Sequence, residues 1–293
     1  MDRKQRLVDL IDRPGILIVP GAYDAITARL IERAGFEVCF ATGAGISNAH
    51  LGLADVSLLT FDELLRVVTR MIEVTKIPLI VDADTGFGGP LNIQRTVREL
   101  ERAGVSAIML EDQLFPKRCG HFPGKKIAAT AEMLARLSAA LDARVDKRTL
   151  ILARTDARAS DGLQAAIDRV HRYFELGADI GFIEAPVSVE EMRTIGAAFK
   201  GKPLVINVVE GGKTPLLSAA ELERLGFKIM FCANTVLRAM IKSVSDALQV
   251  LKQDGSQARV LGMICTWEER QNLVETNRLL ALGSRYDQIA ASK

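Results

Sequence analysis

The chain is short of the residues that mark specialised protein classes. Only four cysteines occur in 293 residues, Cys39, Cys119, Cys232 and Cys265, too few and too scattered for a disulfide framework. Free thiols in a reducing compartment are expected instead. Three histidines and these cysteines form no cluster with zinc-ligand spacing. An excess of one charge is also missing. The 38 Lys+Arg and 36 Asp+Glu leave a net charge of +2, which excludes a binder of nucleic acid driven by phosphate contacts. With 48% hydrophobic residues, the same balance excludes a disordered chain. No apolar run approaches the ~18 residues of a membrane span. The opening MDRKQRLVDLIDRPG has neither the apolar centre nor the small-residue cleavage site of a leader. These absences predict a cytoplasmic globular protein with no nucleic-acid and no membrane partner.

What is present is a regular alternation. Eight short runs rich in Val, Ile and Leu read as strands: Ile16–Pro20, Val38–Thr42, Leu79–Asp84, Ala107–Asp112, Leu150–Thr155, Ile180–Pro186, Leu204–Val208 and Lys228–Cys232. They are nearly all apolar rather than alternating, the pattern of parallel strands covered on both faces. Between them lie stretches with apolar residues at helical spacing, among them Ala22–Ala34, Phe61–Val74, Leu91–Ala103, Ala131–Ala143, Gly162–Leu176, Glu190–Ala198 and Ala219–Leu225. Several end in a glycine just before the next strand, a helix C-cap signal. Eight such units in series predict an α/β fold of the (β/α)8 TIM-barrel type. The count, and the lack of an early GxGxxG, disfavour a doubly wound sheet. Helices over Asn234–Lys252 and around Thr266–Ala281 exceed what a barrel needs. The expected organisation is a barrel catalytic domain over residues 1–255 and a C-terminal helical extension over 256–293.

Active sites of such barrels lie at the C-terminal ends of the strands. There the chain places Thr42-Gly43-Ala44-Gly45, Asp82 and Asp84, Glu111-Asp112, Arg154-Thr155-Asp156, Glu184, and Asn207 with Glu210. One terminal carboxylate alone usually caps a helix or a turn. Several converging on one mouth repel one another unless a cation neutralises them. Oxygen-only ligation by a few carboxylates, completed by water and substrate, suits Mg2+, with Mn2+ as the alternative. Asp82 and Asp84 share a face only where the chain stays extended.

The loop after the fourth strand, from Glu111 to about Thr130, is long for a barrel, and such loops commonly carry function. Cys119 sits there among Lys117, Arg118, His121, Lys125 and Lys126, whose positive charge favours a thiolate and proton exchange near neutral pH. Cys39, Cys232 and Cys265 read as small buried hydrophobes, and His50 and His171 as surface or packing residues.

Several motifs occur in order over roughly residues 15–240. They are Val-Pro-Gly-Ala-Tyr-Asp-Ala (19–25), Thr-Gly-Ala-Gly (42–45), Leu-Ala-Asp (53–55), Asp-Ala-Asp-Thr-Gly-Phe-Gly (82–88), Glu-Asp-Gln with Lys-Arg-Cys-Gly-His (111–121), Ala-Arg-Thr-Asp-Ala (153–157) and Glu-Gly-Gly-Lys-Thr-Pro (210–215). Together they resemble the isocitrate lyase/phosphoenolpyruvate mutase superfamily, and the Lys-Arg-Cys-Gly-His loop resembles its lyase branch. The resemblance implies that Thr42, Gly43 and Ala44 hold a substrate carboxylate. It places Asp55, Asp82, Asp84 and Glu111 around Mg2+. Arg154 is implied to hold the α-keto acid part of the substrate, with Glu184, Asn207 and Thr214 as further pocket residues. Cys119 is implied as general acid, with Lys117, Arg118, Gly120 and His121 on the same loop, and Tyr23 near the reacting hydroxyl. Tyr23 and a metal-bound water are both candidates for the base. A homotetramer built from helix-swapped dimers is implied as well, which gives the C-terminal helices a role.

The implied activity is Mg2+-dependent retro-aldol cleavage of a small 2-hydroxy di- or tricarboxylate, giving an α-keto acid and a saturated acid. Gly211-Gly212 after Glu210 resembles dimethylmalate-type lyases, whereas Arg238 stands where tricarboxylate lyases have an arginine; a packing or interface role for Arg238 is the alternative. Two competing functions are an oxaloacetate decarboxylase or hydrolase, and a carboxyphosphonoenolpyruvate-type phosphonomutase. A third, a non-catalytic binding barrel, is disfavoured by the complete set of Asp82, Asp84, Glu111, Cys119 and Arg154.

Overall fold

The computed structural model describes residues 2–118, 120 and 124–291, which divide into two compact units, Met1–Leu237 and Arg238–Lys293. The boundary falls earlier than residue 255, inside the helix that follows the last strand.

The first unit is a closed barrel. Strands β1 (Leu17–Ala22), β2 (Cys39–Ala41), β3 (Leu79–Asp82), β4 (Ala107–Glu111), β5 (Leu150–Thr155), β6 (Ile180–Ile183), β7 (Leu204–Asn207) and β8 (Ile229–Cys232) are parallel and neighbour one another in chain order. β8 pairs back onto β1, with Val19 opposite Phe231. All eight expected strands are present. Five end one to three residues earlier than the apolar runs suggest, and the backbone shows why at the two that fall shortest, β3 and β6. Asp84 (φ +49°) and Ala185 (φ +57°) adopt the left-handed region, which ends the extended chain and turns it at the mouth.

The barrel's helices are α1 (Arg3–Asp12), α2 (Ala25–Arg33), α3 (Gly43–Ile46), α4 (Phe61–Val74), α5 (Pro90–Ala103), α6 (Thr130–Ala143), α7 (Arg158–Asp161), α8 (Leu163–Leu176), α9 (Val189–Ala198) and α10 (Ala219–Arg224). Local chemistry sets their ends. Asp24 with Thr27, and Thr60 with Glu63, form reciprocal capping boxes that satisfy the first free N–H groups of α2 and α4. Gly104 and Gly177 close α5 and α8 in the left-handed conformation, which only glycine adopts without strain. The helix α1 is not anticipated by the strand–helix alternation. Its Leu7 and Leu10 are buried in one cluster with Leu17, Val38, Leu150 and Ile180, so α1 caps the N-terminal end of the barrel. Higher in the same core, Phe231 stacks on Phe40 at 4.1 Å and meets Phe182 edge-on at 6.2 Å. These rings form the apolar bed of the mouth.

Helix α11 (Thr235–Asp254) runs across the boundary between the units. The second unit continues with α12 (Trp267–Leu273) and α13 (Thr276–Ala291). The single helix expected around Thr266–Ala281 is thus two, broken where Glu275 takes a left-handed φ of +58°. Cys265 is exposed, so the buried reading of that thiol is corrected, while Cys39 is buried as expected. No helix among the described residues is long and apolar enough to cross a membrane.

Candidate active site

The C-terminal ends of the strands converge on one small cavity of about 40 Å3. Thr42, Asp55, Asp82, Glu111, Lys117, Arg118, Gly120, Arg154 and Asn207 line it above Phe40, Met109, Phe182 and Phe231. All nine polar or loop residues were expected at the site from the sequence. Gly43 lies against the acidic side: a Cβ there would approach Asp82 Oδ2 to 2.8 Å and Asp84 Oδ1 to 3.3 Å. Asp82 and Asp84 therefore face the same point although the strand has ended. The turn at Asp84 does this, with its N–H donating to Asp82 Oδ1 at 3.1 Å. Thr42 caps α3 by accepting from the Gly45 N–H, which places Gly43 and half-buried Ala44 at the start of that helix.

Positive charge from the β4 loop fills the acidic pocket. Lys117 Nζ lies 2.6 Å from Asp55 Oδ1 and 2.7 Å from Asp84 Oδ1, and its side chain is 3% exposed. Burial opposes its charge, but Asp84, Glu111, Asp82 and Asp55 outweigh burial and hold its pKa well above the ordinary lysine value. Burial pushes Asp84 up to about 7, with Asp82 and Asp55 adding to the rise against the pull of Lys117. Glu111 is likewise raised, by burial first. One of its oxygens, Oε1, has no hydrogen-bond partner among the described residues, nor do Asn207 Oδ1 and buried Thr214 Oγ1. Buried polar atoms are almost always paired. Two of these open atoms, on Glu111 and Asn207, belong to residues that line the cavity and mark a place built to receive a polar ligand.

On the opposite side Arg154 is the organising cation. Its Nε and Nη2 donate to the two oxygens of Asp156 at 2.8 and 3.0 Å. It also pairs with Glu111 Oε2 at 3.4 Å and Glu184 Oε2 at 3.3 Å, with the guanidinium over the Phe182 ring. Burial works against its charge, and Asp156, Glu184 and Glu111 raise its pKa well above the arginine value regardless.

Cys119 and His121 lie outside the described residues. Arg238 belongs to the second compact unit rather than to the one that builds the mouth. Tyr23 is buried beside the site but does not line the cavity. Burial, then Asp24, raises its phenol above the ordinary value.

Four residues that set the site were given no role in it from the sequence, although Gln113, Lys125 and Asp156 lie in stretches named there. Ser57 accepts from the Lys117 N–H at 2.7 Å, and the Gln113 side chain bonds both the N–H and the carbonyl of Arg118, at 3.0 and 2.8 Å. Asp156 orients Arg154, and Lys125 reaches Asp156. Only Asp156 had a visible signal, since it follows Arg154 by two residues at a strand end.

Residues 7–252 match the family model described as phosphoenolpyruvate phosphomutase. The chain belongs to that family. Within it, the chain is 41% identical over 286 residues to a 2,3-dimethylmalate lyase of Eubacterium barkeri, covering 98% of this chain and 99% of the relative. It is 41% identical over 268 residues to a 2-methylisocitrate lyase of Aeropyrum pernix, covering 92% of this chain and 86% of the relative. The fold superposes on a phosphonopyruvate hydrolase solved as a complex with oxalate and Mg2+, at a TM-score of 0.88 and 29% identity, covering 98% of this chain and 99% of the other. The family is part of the PEP mutase/isocitrate lyase superfamily, in agreement with the motifs read along the sequence.

Proposed function

We propose that this family member is a Mg2+-dependent carbon–carbon lyase acting on a 2-hydroxy dicarboxylate of the 2,3-dimethylmalate type, with a 2-methylisocitrate-type acid as the alternative. The observation that carries the reading is the division of the mouth into an acidic half and an arginine half within one small cavity. The acidic half fits a hard cation: its donors are all oxygen, Asp84 and Glu111 are pushed toward protonation, and Glu111 Oε1 is open among the described residues. Among the described residues no three Asp, Glu, His or Cys side chains could hold a metal by themselves. That suits Mg2+, which takes one or two carboxylates and completes its shell with water and substrate. Asp82 would be a direct ligand, with Asp84, Asp55 and Glu111 around it. When bound, the ion would supply a Lewis acid for the substrate's hydroxyl and carboxylate oxygens.

The chain's own residues divide the remaining work. Arg154, fixed by Asp156, holds the carboxylate of the half that becomes the α-keto acid. Thr42, Gly43 and Ala44 offer a hydroxyl and helix-start N–H groups to the same or the second carboxylate. Glu184, Asn207 and Thr214 supply further polar contacts. As the C2–C3 bond breaks, the hydroxyl proton passes to a base, a water or Tyr23, the C2–O bond becomes the keto carbonyl, and the C2–C3 bonding pair passes to C3, giving a carboxylate enolate. Lys117 and Arg118 on the β4 loop offset that growing negative charge. Cys119 then donates its proton to C3, and His121 lies on the same loop. The dimethylmalate lyase relative supports the dicarboxylate substrate, and the Gly211-Gly212 pair after Glu210 supports it over a bulkier tricarboxylate.

Assembly into a homotetramer through the C-terminal helices belongs to the same reading. It is supported by exposed apolar side chains in the second unit such as Leu261, Trp267 and Leu280. A cytoplasmic location accords with this chemistry.

A panel assay tests the reading: 2,3-dimethylmalate, 2-methylisocitrate, isocitrate, oxaloacetate and phosphonopyruvate, each with Mg2+ and with EDTA. The expected result is α-keto acid release from the first or second acid only, abolished by EDTA. Turnover of oxaloacetate or phosphonopyruvate alone, or turnover that survives EDTA, overturns it.

A further inference from the structure

The β4 loop is fastened at its base and, among the described residues, at interior points that include Lys117 on Asp55 and Asp84 and Lys125 on Asp156. At the base, Gln113 and Ile127 form an antiparallel bridge and the Leu114 N–H donates to the Lys126 carbonyl at 2.8 Å. The interior fastening on the arginine side of the mouth is Lys125. Its ammonium donates to the Gly120 carbonyl at 2.6 Å and to Asp156 Oδ1 at 2.6 Å. That oxygen also accepts from Arg154 Nη2, while Asp156 Oδ2 accepts from Arg154 Nε. One carboxylate thus carries the guanidinium of β5 and the ammonium of the loop. Asp156 is itself held from behind, its N–H donating to Asp112 Oδ1 at 2.9 Å, and Asp112 is fixed by Thr155 and Tyr173. The Gly120 peptide lies directly on this assembly. A Cβ on Gly120 would come within 2.4 Å of Arg154 Nη2 and 2.7 Å of Glu184 Cγ. The Lys125 and Asp156 side chains are 3% and 0% exposed, so water does not loosen the pair.

We propose that Lys125 is a positioning residue: through Asp156 it sets the β4 loop in register with Arg154, so that the loop's acid meets the carbon end of a substrate whose carboxylate Arg154 holds. The proposal rests on the lyase reading for the identity of that acid, and on the geometry above for the link itself. A loop staple with no such role would secure the chain but leave the chemical step unchanged. A register device acts differently, because misplacement of a reacting group by about 1 Å costs on the order of 10²-fold in rate while ground-state binding is spared. Arg154 stays bonded to both Asp156 oxygens without Lys125, so substrate binding is expected to survive its loss.

The test compares the full-length parent with Lys125→Met and Lys125→Arg. On 2,3-dimethylmalate with Mg2+, Lys125→Met is expected to lower kcat about 10- to 100-fold with KM within about threefold, and Lys125→Arg to recover at least about fivefold of that loss. Oxalate, used as a two-carboxylate probe and titrated calorimetrically in Mg2+, is expected to bind Lys125→Met within about threefold of the parent. Hydrogen exchange is expected to quicken in the peptide spanning residues 113–127 and to stay unchanged in the strands. A kcat within about threefold of the parent overturns the proposal. So does a parallel fall in kcat and oxalate affinity, or an arginine variant no better than methionine. If the parent turns over none of the acids, the lyase reading fails, and exchange with oxalate binding still decides the link. Faster loop exchange with retained oxalate affinity supports it, and unchanged loop exchange overturns it.

Discussion

The two ends of the barrel treat a buried glutamate in opposite ways. At the N-terminal end Glu101, in α5, accepts from the Val145 N–H at 3.0 Å, the Asp146 N–H at 2.9 Å and the Thr149 hydroxyl at 2.9 Å, with Lys4 nearby. Around it α1 packs Leu7 and Leu10 into the core, and Arg3 donates to the Ile72 and Thr75 carbonyls. At the C-terminal end Glu111 has an open oxygen among the described residues, a raised pKa and carboxylate neighbours. One end spends its polar groups on holding the fold. The other pairs Lys117 and Arg154 with carboxylates but, among the described residues, leaves Glu111 Oε1 and Asn207 Oδ1 without a partner, and it holds Asp84 and Ala185 in left-handed backbone. Stability and chemistry are thus segregated along the barrel axis, so a substitution at one end should leave the other's property untouched.

The largest separation is expected for Asp82→Ala. On the proposed reading it removes a direct oxygen ligand from a site with few, so turnover should fall by more than about 10³-fold, over ~4 kcal/mol of transition-state stabilisation. The thermal midpoint should not drop, because a repulsive carboxylate has gone. A mutant that binds Mg2+ and turns over like the parent contradicts the assignment.

Cys119→Ser comes next. It keeps the size of the side chain but replaces a thiol with a far weaker acid, so kcat should fall ~10²–10⁴-fold with KM little changed. A kcat within about threefold removes the proton-donor role. A metal-dependent decarboxylase would show that small effect, so this mutant also separates the lyase from that rival.

Leu7→Ala is the counterpart at the floor. Truncating a fully buried leucine should cost ~2–5 kcal/mol of stability by denaturant titration, with kcat of the folded enzyme unchanged. Loss of kcat without loss of stability would break the segregation. The finest test pairs the two glutamates. Glu101→Gln should cost about 1.5–3 kcal/mol, since an amide nitrogen cannot accept the N–H groups a carboxylate oxygen does. Glu111→Gln should leave stability equal or higher and reduce activity, since it mimics the protonated acid that burial already favours.

The two ends also differed in how far the sequence revealed them. Strands buried on both faces print as continuous apolar runs, so β1 to β8 were legible one by one. The polar residues at their ends stood out against those runs, and the motif resemblance supplied their roles. The helix α1 was hidden because its Leu7 and Leu10 are spaced among charges and pack on strands distant in sequence. At the mouth, the insertion of Lys117 between Asp55 and Asp84 could not be read, because it depends on how a loop folds back across 62 residues. Along the sequence Lys125 is one basic residue among several, and its place on Asp156 depends on the folded loop.

The most direct measurement of the central claim is the fate of solvent hydrogen during turnover of 2,3-dimethylmalate with Mg2+ in D2O. Cleavage of C2–C3 with protonation of the departing carbon predicts pyruvate and propionate in equal amounts, with one deuterium at C2 of the propionate. No cleavage of this or the methylisocitrate-type acid, or a propionate without deuterium, would contradict the account.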